Sequence, residues 1–234
     1  FRYEQNVESE DGNNVYLTID ETIQSICEKY MQKGVEDNNV LNKGVCIAMD
    51  VNTGAILAMV TTDGYDLNNP YELSAKDKKK IKSTAKSKQA EAESAALSNM
   101  WRNKAVADTY MPGSVFKMCV ASAALEENLV NEKTSFTCTG SISVEGETIH
   151  CSNISGHGTQ NFVEAISNSC NPAFIQIGQM LGAGKFRQYY QGFGFSDKTG
   201  IDLPGEADDE FWAEGKMGGV DLAVASFGQN FAIT

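Results

Sequence analysis

Apolar and polar positions change their spacing several times along the chain, and each change marks an element. Residues 15–19 alternate, which predicts a short strand. Asp20 then stands ahead of Ile23, Ile26, Cys27, Tyr30 and Met31, a 3.6-residue spacing that predicts a capped helix ending near Gly34. After a polar loop over 35–43, two apolar runs, 45–49 and 55–60, flank Asp50-Val51-Asn52-Thr53-Gly54 and read as a hairpin of two core strands. Residues 73–102 turn to Lys, Ala, Glu and Ser, favouring one or two exposed helices. Pro112 and Gly113 break the pattern, and a helix apolar on nearly every side runs from Ser114 to Glu127 or Asn128. Residues 136–150 alternate about Glu145-Gly146, a small hairpin, and residues 155–158 read as a flexible turn. Residues 161–180 are helical in pattern but interrupted at Asn171-Pro172; Phe186 to Phe193 forms another helix, 201–206 an exposed turn, and 221–228 begins a last helix.

Composition narrows the class. With 234 residues, 41% apolar, the chain can bury one sizeable core, and residues 1–14 read as a linker or the end of a preceding domain. A net charge of −12 makes nucleic acid a poor partner. Nine of the nineteen Lys and Arg lie within residues 76–104, as expected of a solvated helix or flap on an acidic body. No run is long enough to span a bilayer, and the opening Phe1-Arg2-Tyr3-Glu4 reads as a cut from a longer protein.

The chemistry begins at Ser114-Val115-Phe116-Lys117. Turn residues place Ser114 at a helix N-terminus, with Lys117 one turn on and on the same face. A buried lysine can lose its proton and serve as base for a neighbouring serine. The ordinary alternative is a serine N-cap with an outward lysine. The four residues alone favour that, since Ser83-Thr84-Ala85-Lys86 repeats the pattern in a solvated stretch.

Longer stretches tip the balance. Residues 14–24, 49–59 and 103–117, then Ser169-Cys170-Asn171, residues 199–206 and Ser226-Phe227-Gly228-Gln229, occur in one order. Together they resemble the transpeptidase domain of class B penicillin-binding proteins, of the elongation and sporulation types. The resemblance implies an α+β fold over 15–234, in which an antiparallel sheet packs between an all-helical lobe and flanking helices. It implies a peptidoglycan D,D-transpeptidase acting through a serine acyl-enzyme. Ser114 would be the nucleophile, Lys117 its base, Ser169 a proton relay and Asn171 the holder of the substrate amide. Stem peptides and β-lactams would be its ligands and a membrane-embedded glycan polymerase its partner. The site would lie at the extracytoplasmic face, anchored by a segment outside this chain, with no cofactor needed for acyl transfer. Lys198-Thr199-Gly200 resembles the family's third motif but runs straight into Leu203-Pro204-Gly205. That loop is a separate class B signature, so the third motif and its strands are expected beyond Thr234. A hydrolytic relative, a penicilloylated sensor and a non-catalytic cell-wall scaffold are the alternatives.

Six cysteines are too few for a disulfide scaffold, and Cys46 and Cys119 sit in apolar runs as small core residues. Cys138, Cys151, His157 and Cys170 cluster within 33 residues. Three thiols and an imidazole suit zinc, although their spacing matches no compact finger. If Ser169 and Asn171 face the cleft, Cys170 points behind it, where a metal would brace the wall. A Cys151–Cys170 disulfide and inert buried thiols are the competing readings.

Overall fold

The computed structural model describes residues 11–40, 44–62 and 64–234. The first ten residues of the expected linker and the last three of the loop over 35–43 lie outside that set. No helix of the described residues is long and apolar enough to cross a membrane. The chain forms two compact units, one up to Ala105 and one from Val106 to Thr234. Helices and antiparallel strands are mixed in both, as an α+β chain requires.

In the first unit helix α1 (Glu21–Asp37) lies against the hairpin β1 (Val45–Met49) and β2 (Ile56–Thr61). Asp20 caps α1, its Oδ1 accepting from Ile23 N at 2.9 Å. The Gln24 side chain fixes the helix on β2, donating to Met59 O and accepting from Met59 N. The helix runs three residues past Gly34. A glycine inside a helix costs only about 1 kcal/mol, and the left-handed residue that ends this one is Asn39, at φ +48°. Residues 15–19 do not form the expected strand. Alternation makes a strand only where a backbone ladder forms, and on the free edge of β2 the contacts are Thr18 Oγ1 to Ile56 O, through a side chain, and Asp20 N to Leu57 O. The hairpin forms as expected, but only one of its faces is covered. Ala58 and Val60 are buried, whereas Val45, Ile47 and Met49 of β1 remain exposed. Helices α2 (Ala75–Ser83) and α3 (Gln89–Trp101) bury no residue, in keeping with their composition. A one-turn helix α4 (Lys104–Ala107) follows at the unit boundary.

The second unit is built on helices α5 (Lys117–Glu126), α6 (Phe162–Ser167), α7 (Asn171–Gly192) and α8 (Gly219–Ala225). Pro172 does not interrupt a helix but starts α7, where its missing N–H is no loss. Gly182, at φ +74°, kinks α7, so its last turns are the separate helix that the pattern predicts. Ala173, Phe174, Ile175 and Ile177 of α7 are wholly buried against α5 and α8. The alternating stretch is split between two ladders: β3 (Ser135–Cys138) pairs with β6 (Gly158–Asn161), and β4 (Ser141–Val144) with β5 (Glu147–His150). Glu145 and Gly146, both at positive φ, make the tight turn of the second ladder. Residues 155–158 are not a loose turn. A Cβ on Gly156 would sit 2.4 Å from Cys138 O, and one on Gly140 2.0 Å from Ile154 O, so two backbones cross in contact.

The turn that opens α5 is clasped by the end of the chain. Gly113 N donates to Gly228 O at 2.8 Å, and Tyr110 bridges Ile233. Gly228 has φ +82°, and a Cβ there would lie 1.9 Å from Gly113 O. Both strain and overlap forbid a side chain. Gly228→Ala is expected to lower stability by about 2–4 kcal/mol, read as a lower denaturant midpoint. Gly192→Ala, which would meet nothing within 4 Å, is expected to be close to neutral. Equal midpoints for the two variants would remove the clasp.

Candidate active site and thiol cluster

Gly113, at φ +61°, lets the chain turn sharply into a 3₁₀ segment, Gly113–Phe116, that runs directly into α5. Ser114 is exposed on that turn, and Phe116 anchors it in an aromatic cluster with Phe186, Tyr190, Phe195 and Phe231. One turn later Lys117 points inward and is only 1% exposed. Its Nζ donates to Ser169 O (2.7 Å), Ser169 Oγ (2.9 Å) and Asn171 Oδ1 (2.8 Å). Three donors meet three acceptors, so the ammonium group is fully satisfied. The ring of Phe174 adds a cation–π contact at 5.4 Å. Burial lowers the Lys117 pKa to about 8, against a smaller upward pull from Cys170 and Cys151.

The spacing of the sequence links Lys117 to Ser114, but the side chain reaches residues more than fifty positions away. They come from the junction of α6 and α7. Asn161 and Glu164 form a capping box at the start of α6, and that short helix stops at Ser167. Ser169 then takes φ +48°, rare for a residue with a side chain. This presents its carbonyl oxygen and its hydroxyl to the same amine. Asn171 begins α7, and its Nδ2 donates to His150 O at 3.3 Å. Lys117, Ser169 and Asn171 thus converge, with Ser114 at the open end of the same helix turn.

The other two lysine motifs lie elsewhere. Ser83 and Lys86 are exposed, the Ser83 hydroxyl being bound to Lys80 O. Lys198 reaches Glu206 O and Asp208 Oδ1, while Thr199 donates through N and Oγ1 to Glu206 Oε1, both at 2.7 Å. The Thr199 bonds hold the Glu206 carboxyl below its usual range. Lys198-Thr199-Gly200 is a surface loop closed on its own neighbours.

Cys138, Cys151, His157 and Cys170 do come together: one ligand atom from each lies within 4.8 Å of the others. The three thiols are buried, and Cys151 Sγ is 3.6 Å from His157 Nδ1. The β3–β6 ladder supplies the closure that the sequence spacing does not show. All six cysteines are free thiols. Burial raises the Cys151 thiol, but the backbone N–H groups of Asn153 and Asn171 outweigh it and hold the pKa below the ordinary value. Burial pushes Cys170 up to about 12, although Ala173 N–H and the Gln160 side chain favour its thiolate. Gln160 was not foreseen. It is 3% exposed, its Oε1 accepts from Asn168 Nδ2, and its Nε2 is buried with no oxygen or nitrogen partner.

Comparison with known proteins identifies the family. The family model described as "Penicillin binding protein transpeptidase domain" matches residues 44–234. Stage V sporulation protein D of Bacillus subtilis is 33% identical over 225 residues, which cover 96% of this chain and 31% of the relative. Peptidoglycan D,D-transpeptidase PbpA of Mycobacterium tuberculosis is 30% identical over 227 residues, 93% of this chain and 43% of the relative. The chain therefore spans less than half of each relative's length, 31% of one and 43% of the other. Among solved structures, penicillin-binding protein 3 of M. tuberculosis complexed with aztreonam has a TM-score of 0.73 at 24% identity, covering 93% of this chain and 44% of that one. The transpeptidase domain of Burkholderia pseudomallei penicillin-binding protein 3 has a TM-score of 0.72 at 21% identity, covering 96% and 56%. At such identities the structures speak for the fold alone. The chain belongs to the penicillin-binding protein transpeptidase family, in its class B branch.

Proposed function

We propose that this chain carries the acyl-transfer site of a peptidoglycan D,D-transpeptidase, with Ser114 as nucleophile. The observation that carries the reading is Lys117, buried and bonded to both Ser169 and Asn171 at the inner end of the turn that exposes Ser114. A pKa lowered to about 8 leaves about a tenth of the amine neutral at pH 7. Neutral Lys117 would take the Ser114 proton as Oγ attacks the carbonyl carbon of a D-Ala–D-Ala bond. Ser169, hydrogen-bonded to Lys117, would pass a proton to the departing D-Ala amine. The Asn171 amide would hold the stem-peptide backbone, since its 3.3 Å bond to His150 O is weak enough to be exchanged for a substrate carbonyl. An amine of a second stem would then take the acyl group and release Ser114. Backbone N–H groups, that of Ser114 among them, would stabilise the oxyanion.

The aztreonam complex of one structural relative supports β-lactams as ligands of the same serine. The name of the B. subtilis relative supports a role in sporulation. On this reading the site would lie on the extracytoplasmic side of the membrane, held by an anchor and working with a membrane-embedded glycan polymerase. In the full-length protein Ser114→Ala is expected to abolish covalent labelling by a fluorescent penicillin, with the circular dichroism spectrum retained. Labelling that persists would overturn the nucleophile assignment, and an adduct that clears within minutes would favour a hydrolase.

Behind the site we propose a structural zinc held by Cys138, Cys151, His157 and Cys170. Tetrahedral Zn²⁺ with Zn–S bonds of about 2.3 Å needs ligand atoms about 3.7 Å apart, which a cluster within 4.8 Å reaches by small side-chain shifts. The buried Gln160 Nε2 and the N–H groups of Ala173 and Asn171 are positioned as donors to metal-bound thiolates. Acyl transfer itself needs no metal. Full-length protein purified under reducing conditions without added zinc is expected to carry about one zinc per chain by elemental analysis. Cys138→Ser should lose most of it and melt at lower temperature. Metal-free wild-type protein would refute the site.

A further inference from the structure

Two more thiols meet in the first unit, away from the site described above. Helix α1 and strand β1 pack in a register set by three contacts. At one end, a Cβ on Gly44 would lie 2.5 Å from Met31 Sδ and 3.0 Å from Val35 Cγ2, so the last turns of α1 rest on the start of the strand. At the other, the Gln24 side chain is bonded to the backbone of Met59, which pairs with Ile47 across the hairpin. Between them lie Cys27 and Cys46. Stepping back from Met31 to Cys27 covers about 6 Å of helix, and stepping forward from Gly44 to Cys46 covers about 6.6 Å of strand. The two steps run the same way and match. Cys46 is on the covered face of β1 and both side chains are half-buried, so this register sets the two thiols towards each other between helix and strand. Burial first, and the neighbouring Cys27 second, raise the Cys46 thiol, as expected of two sulfurs forced together.

We propose that Cys27 and Cys46 are a reversible dithiol–disulfide pair that, when oxidised, staples α1 to the hairpin. The oxidant is a disulfide-bearing thiol compound or protein. One thiol, as thiolate, attacks the oxidant's disulfide, forming a mixed disulfide and releasing one reduced thiol. The second thiolate then attacks the mixed bond, closing Cys27–Cys46 and releasing the other. Two protons and two electrons leave the protein, and one disulfide of the oxidant becomes two thiols. Closure brings the two sulfurs to about 2.05 Å, a step that needs side-chain rotation within this register. Reduction by a dithiol reverses the step.

The test is a peptide map of the full-length protein after incubation with oxidised glutathione, blocking of free thiols with N-ethylmaleimide, and digestion without reductant. A linked peptide pair containing Cys27 and Cys46 is expected, lost on dithiothreitol treatment. The oxidised protein should melt about 5 °C higher. Cys46→Ser should leave Cys27 as a glutathione adduct and abolish the rise. Both cysteines recovered as maleimide adducts, as separate glutathione adducts, or joined to other cysteines would overturn the proposal. The map reads these two peptides independently of metal at Cys138, Cys151 and Cys170, and of penicillin labelling at Ser114.

Discussion

The second unit is organised by the need to satisfy one buried ammonium group. Lys117 is 1% exposed, and a cation removed from water persists only if its hydrogens find acceptors. Two of the three it finds belong to Ser169, whose left-handed backbone is the means by which both face one amine. Such a conformation costs about 1–3 kcal/mol and persists only where its surroundings enforce it. Here they do. The stop of α6 at Ser167, the start of α7 at Asn171 and the hydrogen bonds from Lys117 all constrain the three residues between. The cation in turn gives up its proton more readily than an exposed lysine because burial works against its charge.

The thiol cluster and the lysine network share that junction. The Asn171 side chain accepts from Lys117 while its backbone N–H faces the Cys151 sulfur, and Ala173 N–H faces Cys170. These N–H groups are the unpaired donors of the first turn of α7, where the helix dipole favours negative charge. Cys170 makes no side-chain cap hydrogen bond to α7 as a thiol, but a thiolate there would draw on the N–H groups that a serine or aspartate caps in an ordinary helix. Any group that holds the thiolates also holds the first turn of α7, and with it Asn171.

Local rules made much of this legible. Asp20 as a cap, Glu145-Gly146 as a tight turn, the exposed α2 and α3 and the separate last turns of α7 all follow from neighbours in sequence. Ser114 with Lys117, and Ser169 with Asn171, stand out in the sequence because each pair sits within a few residues and the stretches around them keep a family order; that Lys117 meets Ser169 and Asn171 is shown only by the fold. What failed depended on distant partners. The β3–β6 ladder turns a seemingly flexible stretch into a backbone crossing at Gly156, and residues 15–19 meet β2 through too few backbone hydrogen bonds to make a strand. Cys46 reads as a core residue, yet it is only half-buried on the covered face of β1. Gly34 reads as a helix stop because a glycine is visible in sequence and a left-handed asparagine at 39 is not.

Ser114 is the one member that the amine does not bind, and the arrangement gives a reason. An ammonium group has no lone pair, so it cannot take the serine proton until it has lost one of its own. Of the three groups that Lys117 donates to, the carbonyl of Ser169 and Oδ1 of Asn171 can only accept. The Ser169 hydroxyl alone can turn from acceptor to donor. When Lys117 is neutral, two N–H groups can still serve the two obligate acceptors, and the third contact can reverse. Deprotonation then leaves no buried acceptor orphaned. A hydroxyl at 169 is what lets the lysine exist in both states within one geometry, and an alanine there would satisfy neither. On the proposed mechanism, Ser169 holds the lone pair of neutral Lys117 and must yield it to the Ser114 hydroxyl before it ever touches a leaving group.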